Sequence, residues 1–439
     1  MFSYHLRLAW LSIRRSPVLA ALMVLAVGVG VGVCTTMLTV YHLMSGDPIP
    51  SKSDQLFRVQ LDSWAADDPF YEGDNGETGP PFWMTYIDSM ALLESDIPTR
   101  QAAMYRTGAI VEPANPEVAP EPYSVRATTR EFFAMFEVPF LHGAAWDEAA
   151  DEGERVAVIG RALNEKLFGD EDSVGRELRM SGETYRIVGV IDEWNPLPKF
   201  YDINAGTFGE PDEVFVPFRT AAENEMDING NISCWRAENV DNWQAFLASD
   251  CVWVMFWAEL SGPAQEAAYK DFLDAYVLSQ KELGRFPRPL DNRLRDVMEW
   301  LDHRQVVSDD SRVLVALSFL FLAVCLLNTV GLLLARFIGA APRVSLQRAL
   351  GASRWNIMRQ HLVEVGVIGA AGGLVGLGVA LVGLWLIRSG WSDFERIARL
   401  DWTMVAAGIG LALAASLLAG LYPAWRLTRV SPALYLKTQ

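Results

Sequence analysis

One stretch limits what this chain can become. Residues 313–335 read VLVALSFLFLAVCLLNTVGLLLA, 23 positions without a charged side chain. In water such a helix has no polar face to expose. In lipid a helix satisfies its own backbone, and about 20 apolar residues cross the hydrocarbon of a bilayer. The next segment, RFIGAAPRVSLQRALGASRWNIMRQHLVE, carries Arg336, Arg343, Arg348, Arg354 and Arg359, with no acid before Glu364. That bias marks a cytoplasmic segment, and another apolar run follows at once.

Further apolar runs lie at 18–43, 365–387 and 402–425. The first follows Arg14 and Arg15, but it exceeds a signal-peptide core and no small-residue cleavage pattern follows, so an uncleaved anchor is expected. Charge sets the topology: Arg7, Arg14 and Arg15 stay inside, and Arg426, Arg429 and Lys437 return there. The expected division is a cytoplasmic amphipathic helix over 1–16, a first span over 17–45 and an external body over 46–311. A second span over 312–337, a cytoplasmic loop over 338–361 and a third span over 362–388 follow. An external loop over 389–401, a fourth span over 402–425 and a cytoplasmic tail over 426–439 complete it.

Charge divides along the same lines. Residues 46–311 hold 22 Lys and Arg against 50 Asp and Glu, whereas the remaining residues hold 15 against 4. An acidic body on a basic membrane part excludes nucleic acid as a partner. In the N-terminal helix Leu6, Trp10 and Ile13 recur at helical spacing with Arg7 and Arg14 between them, which suits a helix on the lipid surface or a plain basic flank. Glycines in the first span, Gly28, Gly30 and Gly32, and in the third, Gly366, Gly369, Gly372, Gly373, Gly376 and Gly378, read as sites of close helix packing. Among them Gly28, Gly32, Gly369 and Gly373 are expected at helix contacts.

In the body, strands are expected at 55–61, 102–111, 123–128, 155–160 and 185–191, and helices at 81–93, 161–168, 263–284 and 290–303. Residues 114–122 are rich in proline and acid, as in a turn. Of four cysteines, Cys34 and Cys325 fall in spans, and Cys234 and Cys251 fall in the body. Outside the cytoplasm a Cys234–Cys251 disulfide persists and stabilises by roughly 3 kcal/mol through loop closure; two buried free thiols are the alternative. Trp235, Trp243, Trp253 and Trp257 near the pair read as core packing rather than a ligand cage.

The sequence contains no H-E-x-x-H, no C-x-x-C, no G-x-S-x-G and no G-x-x-x-x-G-K-[ST]. No catalytic residue, metal site or nucleotide site is therefore expected. Almost nothing ionises within the spans, which argues against a proton relay; energy must come from a partner.

Two word patterns point to a family. Arg348-Ala349-Leu350-Gly351-Ala352-Ser353, between two membrane helices, resembles the RALGAS signature of FtsX/MacB-type ABC transporter permeases. In the body, Glu131-Phe132-Phe133, Val156-Ala157-Val158-Ile159-Gly160, Leu167-Phe168-Gly169, Val174-Gly175 and Val188-Gly189-Val190 follow the order of the MacB periplasmic core domain. The resemblance implies four transmembrane helices, with a large mixed α/β periplasmic domain of two subdomains between the first and second. It implies an inner-membrane permease, non-catalytic itself, whose loop at Arg343 and 348–353 couples to a cytoplasmic ABC ATPase. ATP and Mg belong to that partner, and the family's output is motion of the periplasmic side for export or efflux. A periplasmic adaptor, an outer-membrane duct and a second permease are the other implied partners. FtsX-like control of periplasmic cell-wall hydrolases is the alternative. The family carries Glu-Ile-Gly where this chain reads Arg343-Val344-Ser345. That reversed charge implies either a heterodimer with a non-identical paralogue or an ATPase altered to match.

Overall fold

The computed structural model describes residues 2–71, 78–113, 119–151, 153–169, 171–236, 240–390 and 402–429. Residues 391–401 of the expected external loop, 430–439 of the tail with Lys437, and 114–118 of the proline-rich turn lie outside them. The chain forms two compact units, one from Met1–Gly46 with Val307–Gln439 and the other from Asp47–Val306.

In chain order, α1 (Phe2–Arg15) and α2 (Pro17–Met44) come first. The body follows with β1 (Leu56–Gln60), α3 (Tyr86–Leu93), β2 (Arg100–Glu112), β3 (Glu121–Thr128), α4 (Glu131–Met135), β4 (Phe140–Gly143) and α5 (Glu148–Asp151). It continues with β5 (Val156–Gly160), α6 (Arg161–Phe168), β6 (Glu177–Met180), β7 (Glu183–Ile191), a 3-10 turn at Phe200–Ala205, β8 (Val214–Pro217) and α7 (Phe218–Glu223). It ends with α8 (Trp243–Leu247), β9 (Met255–Glu259), α9 (Pro263–Glu282), β10 (Arg293–Asp296) and α10 (Val297–His303). The long helices α11 (Asp309–Ala349), α12 (Arg354–Gly390) and α13 (Trp402–Thr428) close the chain.

The body, expected as two subdomains, is spanned by one ten-stranded sheet in the order β10-β1-β9-β2-β3-β8-β5-β7-β4, with β6 beside β2 and β7. The reason is β2. Its first residues pair with β9, its middle with β3, and Val111 and Glu112 with β6. Thirteen residues reach far enough to serve three neighbours. The two expected subdomains are thus two flanks of a continuous ladder. Fully buried strands such as VAVIG in β5 sit centrally, as uninterrupted apolar runs should.

One element departs from expectation. Residues 290–303 do not form a single helix: Arg293–Asp296 pair with Phe57–Gln60 of β1, and only Val297–His303 are helical. Asp296 accounts for the boundary. Its carboxylate accepts the Glu299 amide, Glu299 reaches back to the Asp296 amide, and this capping box starts the helix there. Thr85 does the same for α3, by accepting the Asp88 amide, so that residues 81–85 stay outside it.

Among the described residues, the other unit holds four helices long and apolar enough to cross a membrane: Pro17–Met44, Asp309–Ala349, Arg354–Ser389 and Trp402–Thr428. Here too a boundary moves. The loop expected over 338–361 is almost entirely helical. α11 runs 41 residues, through Pro342, to Ala349, and α12 resumes at Arg354. Residues after Pro342 favour helix enough to continue it, although Pro342 leaves one carbonyl without its donor.

Candidate functional site

The basic motif folds as the tip of a helical hairpin. α11 ends because Gly351 adopts φ +95°, a conformation glycine takes without a Cβ penalty. The Ala352 amide then closes back on the Gln347 carbonyl at 3.0 Å. Ser353 starts α12 by accepting the Asn356 amide at 3.2 Å. Only 350–353 form the turn, and they present Leu350, 80% exposed, at its apex. Leu346 and Trp355 flank it, both exposed, among exposed Arg343, Arg354 and Arg359. Ala349, Gly351 and Ser353 are exposed and Ala352 is half-buried. Arg348, in the loop that the resemblance assigned to an ATPase contact, gives one donor to the Thr428 carbonyl at 3.2 Å, tying the tip to the end of α13.

The root of the hairpin is polar and buried. Arg336 on α11 pairs with Glu364 on α12 at 2.6 Å, and His361 Nδ1 lies 3.4 Å from the same carboxylate. Ser12 on α1 donates to Glu364 at 2.9 Å. Sequence reasoning placed Arg336 at the start of the basic cytoplasmic segment; its side chain is only 6% exposed. The signal was available: Arg336 and Glu364 are the first ionisable groups beyond their two apolar runs. α1 is helical, as expected. Ala9 and Ile13 turn inward, whereas Trp10 is 53% exposed with Arg14 over its ring at 5.2 Å.

Glycines set the packing of the long helices. A Cβ on Gly28 would lie 2.7 Å from Val375 and 3.1 Å from the Gly372 carbonyl. One on Gly32 would lie 2.6 Å from Val379 and 2.8 Å from the Gly376 carbonyl. α2 and α12 thus meet through facing G-x-x-x-G repeats. Gly369 and Gly373 belong to a second seam, against Ser416 and Ala412 of α13. Gly366 and Gly378, expected among the packing positions, face open space. Consecutive glycines lie on different faces of one helix, and sequence alone did not sort them.

In the body the Cys234–Cys251 disulfide is formed. Ser233 and Val252 make an antiparallel bridge that sets the two cysteines opposite each other. Trp253 and Trp257 are core residues, Trp253 meeting the Tyr105 ring at 4.9 Å edge-on. A buried charge network went unforeseen. Arg126 on β3 has no exposed surface and pairs with Asp202 at 2.5 Å and Asp212 at 3.0 Å. Lys199 lies 3.4 Å from Asp212, and the Tyr201 hydroxyl donates to it at 3.2 Å. Burial alone would raise the Asp212 carboxyl; Arg126 and then Lys199 outweigh it and hold it at about 2. Burial lowers the Lys199 ammonium, with Asp212 opposing. Lys199, Tyr201, Asp202 and Asp212 lie in a stretch without regular periodicity, and Arg126 lies in an expected strand where nothing marked its charge as buried.

Comparison with known proteins adds two family models in sequence order. Residues 20–271 match the MacB-like periplasmic core domain, and residues 315–432 match the FtsX-like permease C-terminal domain. The chain is 23% identical over 315 residues to the macrolide export ATP-binding/permease protein MacB of Marinobacter nauticus, covering 70% of this chain. It spans only 42% of that protein's own length. It is 20% identical over 288 residues to the uncharacterized ABC transporter permease YknZ of Bacillus subtilis, covering 64% of this chain and 61% of the relative. Among solved structures, the periplasmic region of MacB from Actinobacillus actinomycetemcomitans aligns with 60% of this chain and 96% of its own, at TM-score 0.37 and 10% identity.

Proposed function

The chain belongs to the MacB/FtsX-like family of ABC transporter permeases, and from that premise we propose that it couples ATP hydrolysis on an ABC ATPase to motion of its periplasmic domain. The observation that carries this reading is the exposed hairpin tip. An apex leucine and a tryptophan, ringed by arginines with no acid between 336 and 363, suit a groove that is apolar at its base and acidic at its rim. The printed name of the MacB relative joins ATP binding to export, and export or efflux from the periplasmic side is the activity proposed here. A second permease completes the assembly, and Arg343 favours a non-identical one.

The experiment is purification of the tagged full chain from its native membrane. It should recover an ABC ATPase whose hydrolysis the permease stimulates, together with a different permease. Leu350→Asp should abolish ATPase recovery, because it puts a charge into a packed contact. Undiminished recovery with Leu350→Asp would remove the tip from the coupling role. Recovery of this chain and an ATPase alone would reject the heterodimer.

A further inference from the structure

The polar root of the hairpin has more connections than a helix pair needs. Glu364 receives three groups from three helices. Its Oε1 takes the Ser12 hydroxyl of α1 at 2.9 Å and Arg336 of α11 at 2.6 Å, while His361, one turn earlier on α12, faces Oε2 at 3.4 Å. Arg336 also donates to Ser12 Oγ at 3.3 Å, closing a triangle. The side chains of Arg336, Glu364 and His361 are 6%, 3% and 6% exposed. The Phe337 ring lies 4.5 Å from that of His361.

α1 needs such a tether. It is not a continuation of α2: Ser16 breaks the helix at φ −138°, and Pro17 begins the next. Its outer face shows Trp10, Leu11, Arg14 and Arg15, and among the described side chains Ala9, Ser12 and Ile13 on the inner face hold it to the unit. Among those side chains Ser12 makes the hydrogen bond. In a low-dielectric site, a charge-assisted hydrogen bond is stronger and more directional than apolar contact.

The location gives the tether a consequence. Fourteen helical residues separate Arg336 from Leu350, about 20 Å at 1.5 Å per residue. The turn at 350–353 is therefore the far end of a lever whose root is Arg336–Glu364. We propose that Glu364 is a positioning residue that latches α1 to this root, so that α1 and the hairpin move as one body. The mechanical meaning rests on the coupling reading above; the latch does not. An acid at position 364 is thus a structural joint of three helices rather than a carrier of protons.

The test uses the full chain in its native membrane, with N-ethylmaleimide as the probe. Ala9 is 1% exposed on the inner face of α1, so Ala9→Cys should react slowly. Cys34 and Cys325 are buried and Cys234–Cys251 is oxidised, so the background is low. Adding Glu364→Ala should speed labelling at position 9 at least tenfold. The pair Arg336→Met and Glu364→Met avoids leaving a lone buried charge and should give the same release with the helices still assembled. In the purified complex Glu364→Met with Arg336→Met should keep the ATPase bound yet lose its stimulation, a separation that general unfolding does not produce. Equal labelling of Ala9→Cys with and without the Met pair overturns the latch. If the unaltered chain recovers no ATPase, the coupling reading fails, and the labelling result still decides the latch.

Discussion

Replacing Asp212 by Asn removes one charge from a buried set that is otherwise balanced. Arg126 and Lys199 face Asp202 and Asp212, two cations to two carboxylates, and every member is nearly inaccessible. Asn keeps the size and one acceptor but leaves a net positive charge in the core. Lys199 then keeps the Glu210 carbonyl at 3.1 Å and its place over the Tyr201 ring at 5.3 Å, but loses the carboxylate it contacts. Breaking a buried pair this way costs about 3–5 kcal/mol. For a domain of this size that is a fall in Tm of roughly 6–20 °C. The same group gives a pH test. Its folded pKa is depressed from 3.8 to about 2, so its contribution is full above 3.8 and is lost as pH falls towards 2. At 1.36 kcal/mol per unit, that is on the order of 2 kcal/mol. The assay is thermal unfolding of the full chain in detergent, followed by fluorescence of buried Trp253 and Trp257, between pH 7 and pH 2. Asp212→Asn should lower Tm at pH 7 and flatten the acid limb. A loss below about 1 kcal/mol at pH 7, or an acid limb as steep as before, would refute the claim that Arg126 and Lys199 depend on this carboxylate.

Three further outcomes are expected. Gly32→Val should destabilise the helical unit by roughly 1–3 kcal/mol through overpacking against Val379, whereas Gly378→Ala should change Tm little; equal effects would contradict the seam. Mass spectrometry of a non-reduced digest should yield a linked Cys234–Cys251 peptide pair, and Cys234→Ser with Cys251→Ser should cost roughly 3 kcal/mol; two alkylatable thiols in fresh membranes would contradict it. Cysteines introduced on exposed positions of the body should react with an impermeant thiol reagent in intact cells, and one at Arg343 should not; the reverse pattern would invert the topology.

How much of this was legible in the sequence depends on the physics of each feature. Apolar length and arginine placement report transfer into lipid, a property of composition, so the spans could be read directly. Helix α6 was also readable, because Gly160 and Gly169 bracket its apolar pattern. Long-range pairing was not. Residues 293–296 gain strand geometry only from Phe57–Gln60, more than two hundred positions earlier. The extension of α11 through Pro342 was not legible either, because a proline ordinarily reads as a stop. For the motif at 348–353, the words placed the tip, but the turn's small size and the engagement of Arg348 by Thr428 required coordinates. Arg336, Glu364 and Ser12 illustrate the general limit: each is ordinary alone, and the triangle exists only once three helices meet.

The α2–α12 seam restricts how this chain can diverge. Beside the valines, backbone closes the gap: a Cβ on Gly32 would lie 2.8 Å from the Gly376 carbonyl, and one on Gly376 would lie 3.0 Å from the Gly28 carbonyl. A larger residue at position 32 has no flexible neighbour to displace on that side, and Val379 can yield only by becoming smaller. Drift at these positions must therefore be compensatory. Across related chains, residue volumes at 28, 32, 372, 376 and 379 should covary with an almost constant sum, while positions 366 and 378 wander freely. A set of sequences can check this without purifying any protein.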